Sequence, residues 1–168
     1  QLGIGKDSWL PHQIFKDADW ASISAGYYCI LAIKTDGSLW ALGSNYYGQL
    51  GDSTIVESPK FIRIGNSNDW SAVSSGERHI LALKKDGTLW AWGDNYFGQL
   101  GNGTKKTSKI PVQIGSSNKW TYIATNDYHS AAIQEDGSLW FWGAGENNQN
   151  LKPKLISSDK DWAMVSCG

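Results

Sequence analysis

The feature that most constrains the fold of this chain is a hairpin pattern that returns every 50 residues. The stretch 79–101 reads HILALKKDGTLWAWGDNYFGQLG, with apolar runs Ile80–Leu83 and Leu89–Trp92 flanking Lys84-Lys85-Asp86-Gly87. Asp-Gly between β-type runs is a strong hairpin signal and predicts a type I′ turn, whose two central residues both need positive φ. The same pattern stands at Asp36-Gly37 and at Asp136-Gly137. A unit recurring at fixed spacing implies a repeat architecture, because each unit can bury its apolar face only against its neighbour.

Each unit resolves into four strand-length segments. The first opens on tryptophan: Trp20–Gly26, Trp70–Gly76, Trp120–Asn126 and Trp162–Gly168. The second is Ile30–Lys34, Ile80–Lys84 and Ser130–Gln134; the third is Ser38–Gly43, Thr88–Gly93 and Ser138–Gly143. The fourth is expected to begin on proline, as Pro11–Phe15, Pro59–Ile64, Pro111–Ile114 and Pro153–Ile156, with Ile14, Ile62, Ile114 and Ile156 in register. No window shows a helical period. The second and third segments are continuously apolar rather than alternating, which buries both faces of their strands. Proline marks an edge, where a missing N–H is least costly.

A four-stranded sheet buried on both faces is a blade stacked between blades. The predicted fold is therefore all-β, with β-propeller blades of four antiparallel strands in a partial ring of about three to three and a half blades. Residues 1–168 read as one partial propeller, with repeats at roughly 20–69, 70–119 and 120–161 and half-repeats at 1–19 and 162–168. Repeat Trp and hairpin Trp are 20 residues apart in all three copies, whereas hairpin Trp and proline are 19, 21 and 13 apart. Length change is thus expected only between the third and fourth strands, in an exposed loop. In the third copy that loop, AGENNQNLK, lacks the GQLG of the other two.

The unit W-x-x-[IV]-S-x-G-x-x-H-x-L-A-[IL]-K-x-D-G-[ST]-L-W-A-x-G-x-N-x-x-G-Q-L-G resembles the regulator of chromosome condensation repeat. It is nearly intact at 70–101 and 20–51, looser at 120–143, and present as half-units at both ends. The resemblance implies a propeller, usually of seven blades, that binds partners through loops at one end of the ring. Seven such units need about 350 residues, so the remaining blades are expected from a longer chain or a second copy. The Trp-rich, hairpin-regular version is similar to bacterial members. One of these, a secreted propeller, inhibits β-lactamases through aromatic-rich loops, and that analogy favours a secreted or extracytoplasmic bacterial protein. The family's eukaryotic founder implies an alternative activity, guanine-nucleotide exchange on a small GTPase.

Composition narrows the partner. The formal charge of −1 offers no basic field for a nucleic-acid backbone, and no apolar run approaches the roughly 20 residues of a membrane helix. Neither a nucleic-acid nor a membrane partner is expected. Cys29 and Cys167 occupy different repeat positions and read as free thiols. His79 and His129 recur at one repeat position, where Cys29 stands in the first copy, so they read as structural; His12 stands alone. Asp36, Asp86 and Asp136 are turn residues. Nine of the ten tryptophans are locked to the repeat and read as core, with only Trp9 out of register, although a glycan-binding propeller remains an alternative. Asn102-Gly103-Thr104 fits a glycosylation sequon. There is no catalytic triad, metal cluster or phosphate loop, so neither an enzyme nor a cofactor is expected.

Strand direction supplies a candidate surface. In consecutive antiparallel strands, the first–second and third–fourth connections emerge at one end of every blade. That end carries Tyr27-Tyr28, Glu77-Arg78 and Asp127-Tyr128, which change between repeats while their flanks stay fixed, beside Asn45-Tyr46-Tyr47 and Asn95-Tyr96-Phe97. Tyr and Arg give large contact area at low entropy cost. The candidate partner-binding residues are Tyr27, Tyr28, Tyr46, Glu77, Arg78, Tyr96, Asp127 and Tyr128, with Tyr47 and Phe97 expected to wedge between blades. The expected function is a non-enzymatic protein–protein interaction scaffold.

Overall fold

A computed structural model describes residues 13, 19–144, 150–157 and 159–167. The segments Gln1-Leu2-Gly3, Trp9, Pro11–His12, Ile14–Phe15 and 145–149 of the third long connection lie outside the described residues. Twelve strands form three four-stranded antiparallel sheets, with no helix among the described residues. Blade 1 is β1 (Trp20–Ala25), β2 (Cys29–Lys34), β3 (Leu39–Gly43) and β4 (Ser58–Arg63). Blade 2 is β5 (Trp70–Ser75), β6 (His79–Lys84), β7 (Leu89–Gly93) and β8 (Ser108–Gln113). Blade 3 is β9 (Trp120–Thr125), β10 (His129–Gln134), β11 (Leu139–Gly143) and β12 (Asn150–Ser157). Within each blade the strands neighbour one another in chain order, and the ring is open.

The hydrophobic core lies in the seams between sheets. Side chains alternate across a strand, so Ile80 and Ala82 of β6 face blade 1 while Leu81 and Leu83 face blade 3. In the first seam Leu31, Ile33, Leu39 and Ala41 of blade 1 meet Trp70, Ile80, Ala82 and Trp92 of blade 2. The second seam repeats the pattern one blade on, with Ala91 against Trp142 and Leu89 against Trp120 in one cluster. The outer faces of the two terminal blades are grooved. One groove of about 330 Å³ is lined by Trp20, Ile23, Ile30, Ala32, Leu42 and Phe61. Another, of about 220 Å³, is lined by residues including His129, Leu139, Phe141 and Ile156.

Four sequence expectations are corrected in detail. The Asp-Gly turns are not type I′. Gly37, Gly87 and Gly137 have φ near +80°, but none of the preceding aspartates has positive φ. Gly37 N–H donates to Lys34 O and Lys34 N–H to Ser38 O, which is a three-residue loop closed by a type I turn and a left-handed glycine. Proline does not always open the outer strand: Pro111 and Pro153 sit inside β8 and β12. Each falls where the ladder slips, with three outer-strand residues passing one on the inner neighbour, so its missing N–H breaks no ladder bond.

The fourth-strand register is also shifted. Ile62 pairs with Ala41 and Val112 with Ala91, so the counterpart of buried Ile114 is Ile64 rather than Ile62. The connections 44–57 and 94–107 consequently have equal length, and only the third differs. Finally, 161–167 forms no strand and Trp162 is exposed. A single strand without a partner ladder leaves its backbone groups to solvent.

Candidate functional site

The loop end is built from a rigid hydrogen-bonded frame. Asn45 Nδ2 donates to Asp52 Oδ1, Thr54 Oγ1 and Val56 O, while its Oδ1 accepts from Leu50 N–H. Asn95 does the same with Asn102, Thr104, Lys106 and Leu100. Asp52 and Asn102 therefore do one job as acceptors, which gives the sequon asparagine a structural explanation. Gln49 and Gln99 complete the frame. Each accepts the N–H two residues back on its side-chain oxygen, and each offers its main-chain carbonyl to the next blade's tryptophan, Trp92 Nε1 or Trp142 Nε1, at 2.9 Å. A Cβ on Gly51 or Gly101 would lie 2.8 or 2.6 Å from those indole nitrogens. That contact accounts for the second glycine of GQLG.

On this frame the candidate side chains separate into two sets. Tyr46, Tyr27 and Tyr96 project into solvent at 78%, 69% and 67% exposure, and Tyr28 at 40% packs edge-on against Tyr27. Asp127 is exposed as well. Glu77, Arg78 and Tyr128 are half-buried. Arg78 Nε donates to Glu77 Oε1 at 3.0 Å. Its guanidinium lies 4.7 Å from the Tyr47 ring of blade 1 and 5.9 Å from the Tyr128 ring of blade 3. Tyr128 continues onto Phe97, and Phe97 onto Tyr96, at 4.9 and 5.0 Å.

The run Tyr47–Arg78–Tyr128–Phe97–Tyr96 thus ties three blades together at one end, with Tyr47 and Phe97 half-buried in it. Partial burial works against the Arg78 charge, but the Glu77 carboxylate holds its pKa above the ordinary value. Glu77 likewise pushes the Tyr128 phenol upward against the opposing pull of Arg78.

The histidines and cysteines lie elsewhere. His79 is fully buried in the second seam, and burial lowers its pKa from 6.5 to about 3. Its Nε2 lies 2.8 Å from Ser130 Oγ, and that hydroxyl donates to Gln99 O at 2.7 Å. The serine proton is committed to the carbonyl, so His79 must donate from Nε2, leaving Nδ1 a bare and unpartnered acceptor. In the first seam the equivalent pair is Cys29 and Ile80, both buried, and burial pushes the Cys29 thiol up to about 12. No group of metal-ligating side chains occurs among the described residues.

Two relations escaped sequence reasoning. The D-G-[ST]-L-W motif is a relay: Trp90 Nε1 donates to Thr88 Oγ1, which donates to Asp86 Oδ1, and Trp140–Ser138–Asp136 does the same. The hydroxyl in each relay lowers the aspartate pKa. The second relation is a lysine over two indoles. Lys34 Nζ lies 4.9 and 5.2 Å from Trp20 and Trp40, and Lys84 Nζ 5.1 and 4.6 Å from Trp70 and Trp90. These lysines pair with Asp19 and Asp69. The fixed spacing of Asp-Trp, Lys and hairpin Trp was its only signal in the sequence.

The sequence profile described as Regulator of chromosome condensation (RCC1) repeat matches residues 36–83 and 86–133. A second profile of the same description matches 20–49 and 70–99. The chain belongs to the regulator of chromosome condensation repeat family. Its fold is similar to yeast RCC1 (Prp20), solved bound to Kap60, with a TM-score of 0.78 at 22% identity over 92% of this chain and 41% of that one. It is also similar to human WBSCR16, with a TM-score of 0.73 at 22% identity over 82% and 39%. Saccharomyces cerevisiae Prp20p, described with its binding properties to Gsp1p and histones, gives 0.71 at 22% over 83% and 39%. The chain spans about two fifths of the length of these structures. No curated protein sequence matches it.

Proposed function

We propose that the chain is a non-enzymatic scaffold that binds a protein partner through the loop end of its blades. One observation carries this reading. Trp70, Trp92, Trp120 and Trp142 are turned into the seams, whereas Tyr27, Tyr46 and Tyr96 stand in solvent on turns whose backbone is held by hydrogen bonds. Large rings presented by a rigid frame give contact area without an ordering cost. Protein partners of yeast RCC1 (Kap60 for one structure, Gsp1p and histones for another) support a protein as the ligand class. The contact set is Tyr27, Tyr28, Tyr46, Tyr96 and Asp127, with Glu77, Arg78 and Tyr128 holding its centre.

The test is affinity capture from the source organism with the chain and with its Tyr27→Ala/Tyr46→Ala/Tyr96→Ala variant, each captured protein then being titrated in purified form. A partner that binds the parent and loses at least about tenfold with the variant supports the reading. Equal binding by both would place the contact elsewhere. A nucleotide-release assay on a captured GTPase separates simple binding from exchange.

A further inference from the structure

The loop end sets its aromatic rings near two carboxylates, Asp94 and Asp127, that make no ion pair among the described residues. Asp94 is buried two residues before Tyr96; its Oδ1 accepts from Tyr96 N–H at 3.2 Å and its Oδ2 from Gln99 Nε2 at 3.3 Å. It makes no ion pair among the described residues. Ser44 holds the same place in blade 1, so the turn itself does not require the charge. Asp127, on the neighbouring turn of blade 3, is exposed and equally unpaired. Between them Glu77 and Arg78 neutralise one another. Lys105 and Lys106 stand on the same connection as Asp94, but both are exposed, where solvent screens them more than it screens a buried carboxylate.

Resting on the protein-binding reading, we infer that this seam takes a basic segment of the partner, with a lysine or arginine side chain set against Asp127 and over the Tyr96 and Tyr128 rings. Aromatic faces attract a cation and accept its aliphatic stem, and a carboxylate adds a charge-assisted hydrogen bond. The chain uses this combination internally, with Lys84 lying over Trp70 and Trp90 while paired to Asp69. An acidic segment would instead meet two unanswered carboxylates, a like-charge contact that costs affinity.

The test selects binders to the whole chain from a random peptide library displayed on phage, and repeats the selection on Asp127→Asn and on Tyr46→Ala/Tyr96→Ala. Asp127 is exposed, so its amide variant keeps the fold; matching circular dichroism checks this. The expected result is peptides enriched in Lys and Arg that are lost on the tyrosine variant and bind Asp127→Asn about tenfold more weakly, with a steep salt dependence that Asp127→Asn flattens. Peptides that need the tyrosines but show no basic enrichment, or bind Asp127→Asn unchanged, overturn the inference and leave the protein-binding surface standing. If no selected peptide depends on Tyr46 and Tyr96, the surface and the inference fail together.

Discussion

Stability should fall steeply as pH drops from about 6.5 to 5 because of one buried histidine, and a swap already present in the chain should flatten the slope. His79 is neutral in the folded seam, with its pKa lowered from 6.5 to about 3. Between those values the unfolded chain binds a proton that the folded chain refuses. Stability is therefore full above the unfolded value and declines as pH falls below it, by about 2 kcal/mol at pH 5. The variant His79→Cys/Ser130→Ile copies the Cys29 and Ile80 pair of the first seam. Gln99 O keeps its bond from Trp142 Nε1, as Gln49 O keeps that from Trp92. Replacing both partners leaves no orphaned polar group. Urea unfolding followed by tryptophan fluorescence at stepped pH measures both proteins. Asp86 and Asp136, with lowered pKa values, contribute stability that is lost only as pH falls below the ordinary carboxylate value, outside this window. A variant whose stability falls in parallel with the parent would refute the assignment to His79.

Gly101→Ala should cost about 2–4 kcal/mol in urea unfolding, combining positive φ with a Cβ forced onto Trp142. Gly65→Ala, with φ +62° and open space around it, should cost only about 1 kcal/mol; equal losses would show that the indole contact carries nothing. In blade 3, Gln134 and Lys119 stand where blade 2 has Lys84 and Asp69, so Gln134→Lys/Lys119→Asp should rebuild the caged ammonium over Trp120 and Trp140 and raise stability by up to about 1 kcal/mol. Trp92→Ala should lose about 3–5 kcal/mol, whereas Tyr46→Ala or Tyr96→Ala should stay within about 0.5 kcal/mol by the same measurement.

The blade plan was legible because it rests on features with one physical meaning. Continuous apolar runs such as Ile80–Leu83, bounded by turn residues, read as strands covered on both faces, and the 50-residue return points to one repeated unit. The turn type was not legible, because Asp-Gly serves both a two-residue loop and a three-residue loop closed by glycine. Only the backbone of Asp36 and its equivalents separates the two. Proline misled the register of the outer strand, since the ladder slip lets it occupy more than one place: Pro59 and Pro111 differ by two positions around the same slip. At the loop end, sequence located the aromatic turns but not the depth of each side chain. Arg78 and Tyr28 share a repeat position, yet Arg78 is drawn down between Tyr47 and Tyr128 while Tyr28 stays open.

The two seams show how a repeat protein distinguishes neighbours that are nearly identical. Across the first seam the paired positions hold Cys29 and Ile80; across the second they hold His79 and Ser130. The Cys29–Ile80 pair needs no hydrogen bond and the His79–Ser130 pair makes one across the seam, but a crossed pairing loses it. His79 against an isoleucine would lose its only hydrogen-bond partner, and Ser130 against a cysteine would meet only a weak donor. Blade order can therefore be enforced at a buried position that never reaches the loop end. That separation leaves Tyr27-Tyr28, Glu77-Arg78 and Asp127-Tyr128 free to differ without disturbing how the blades stack, since the register beneath each turn is the same: Ala25 opposite Ile30, Ser75 opposite Ile80 and Thr125 opposite Ser130.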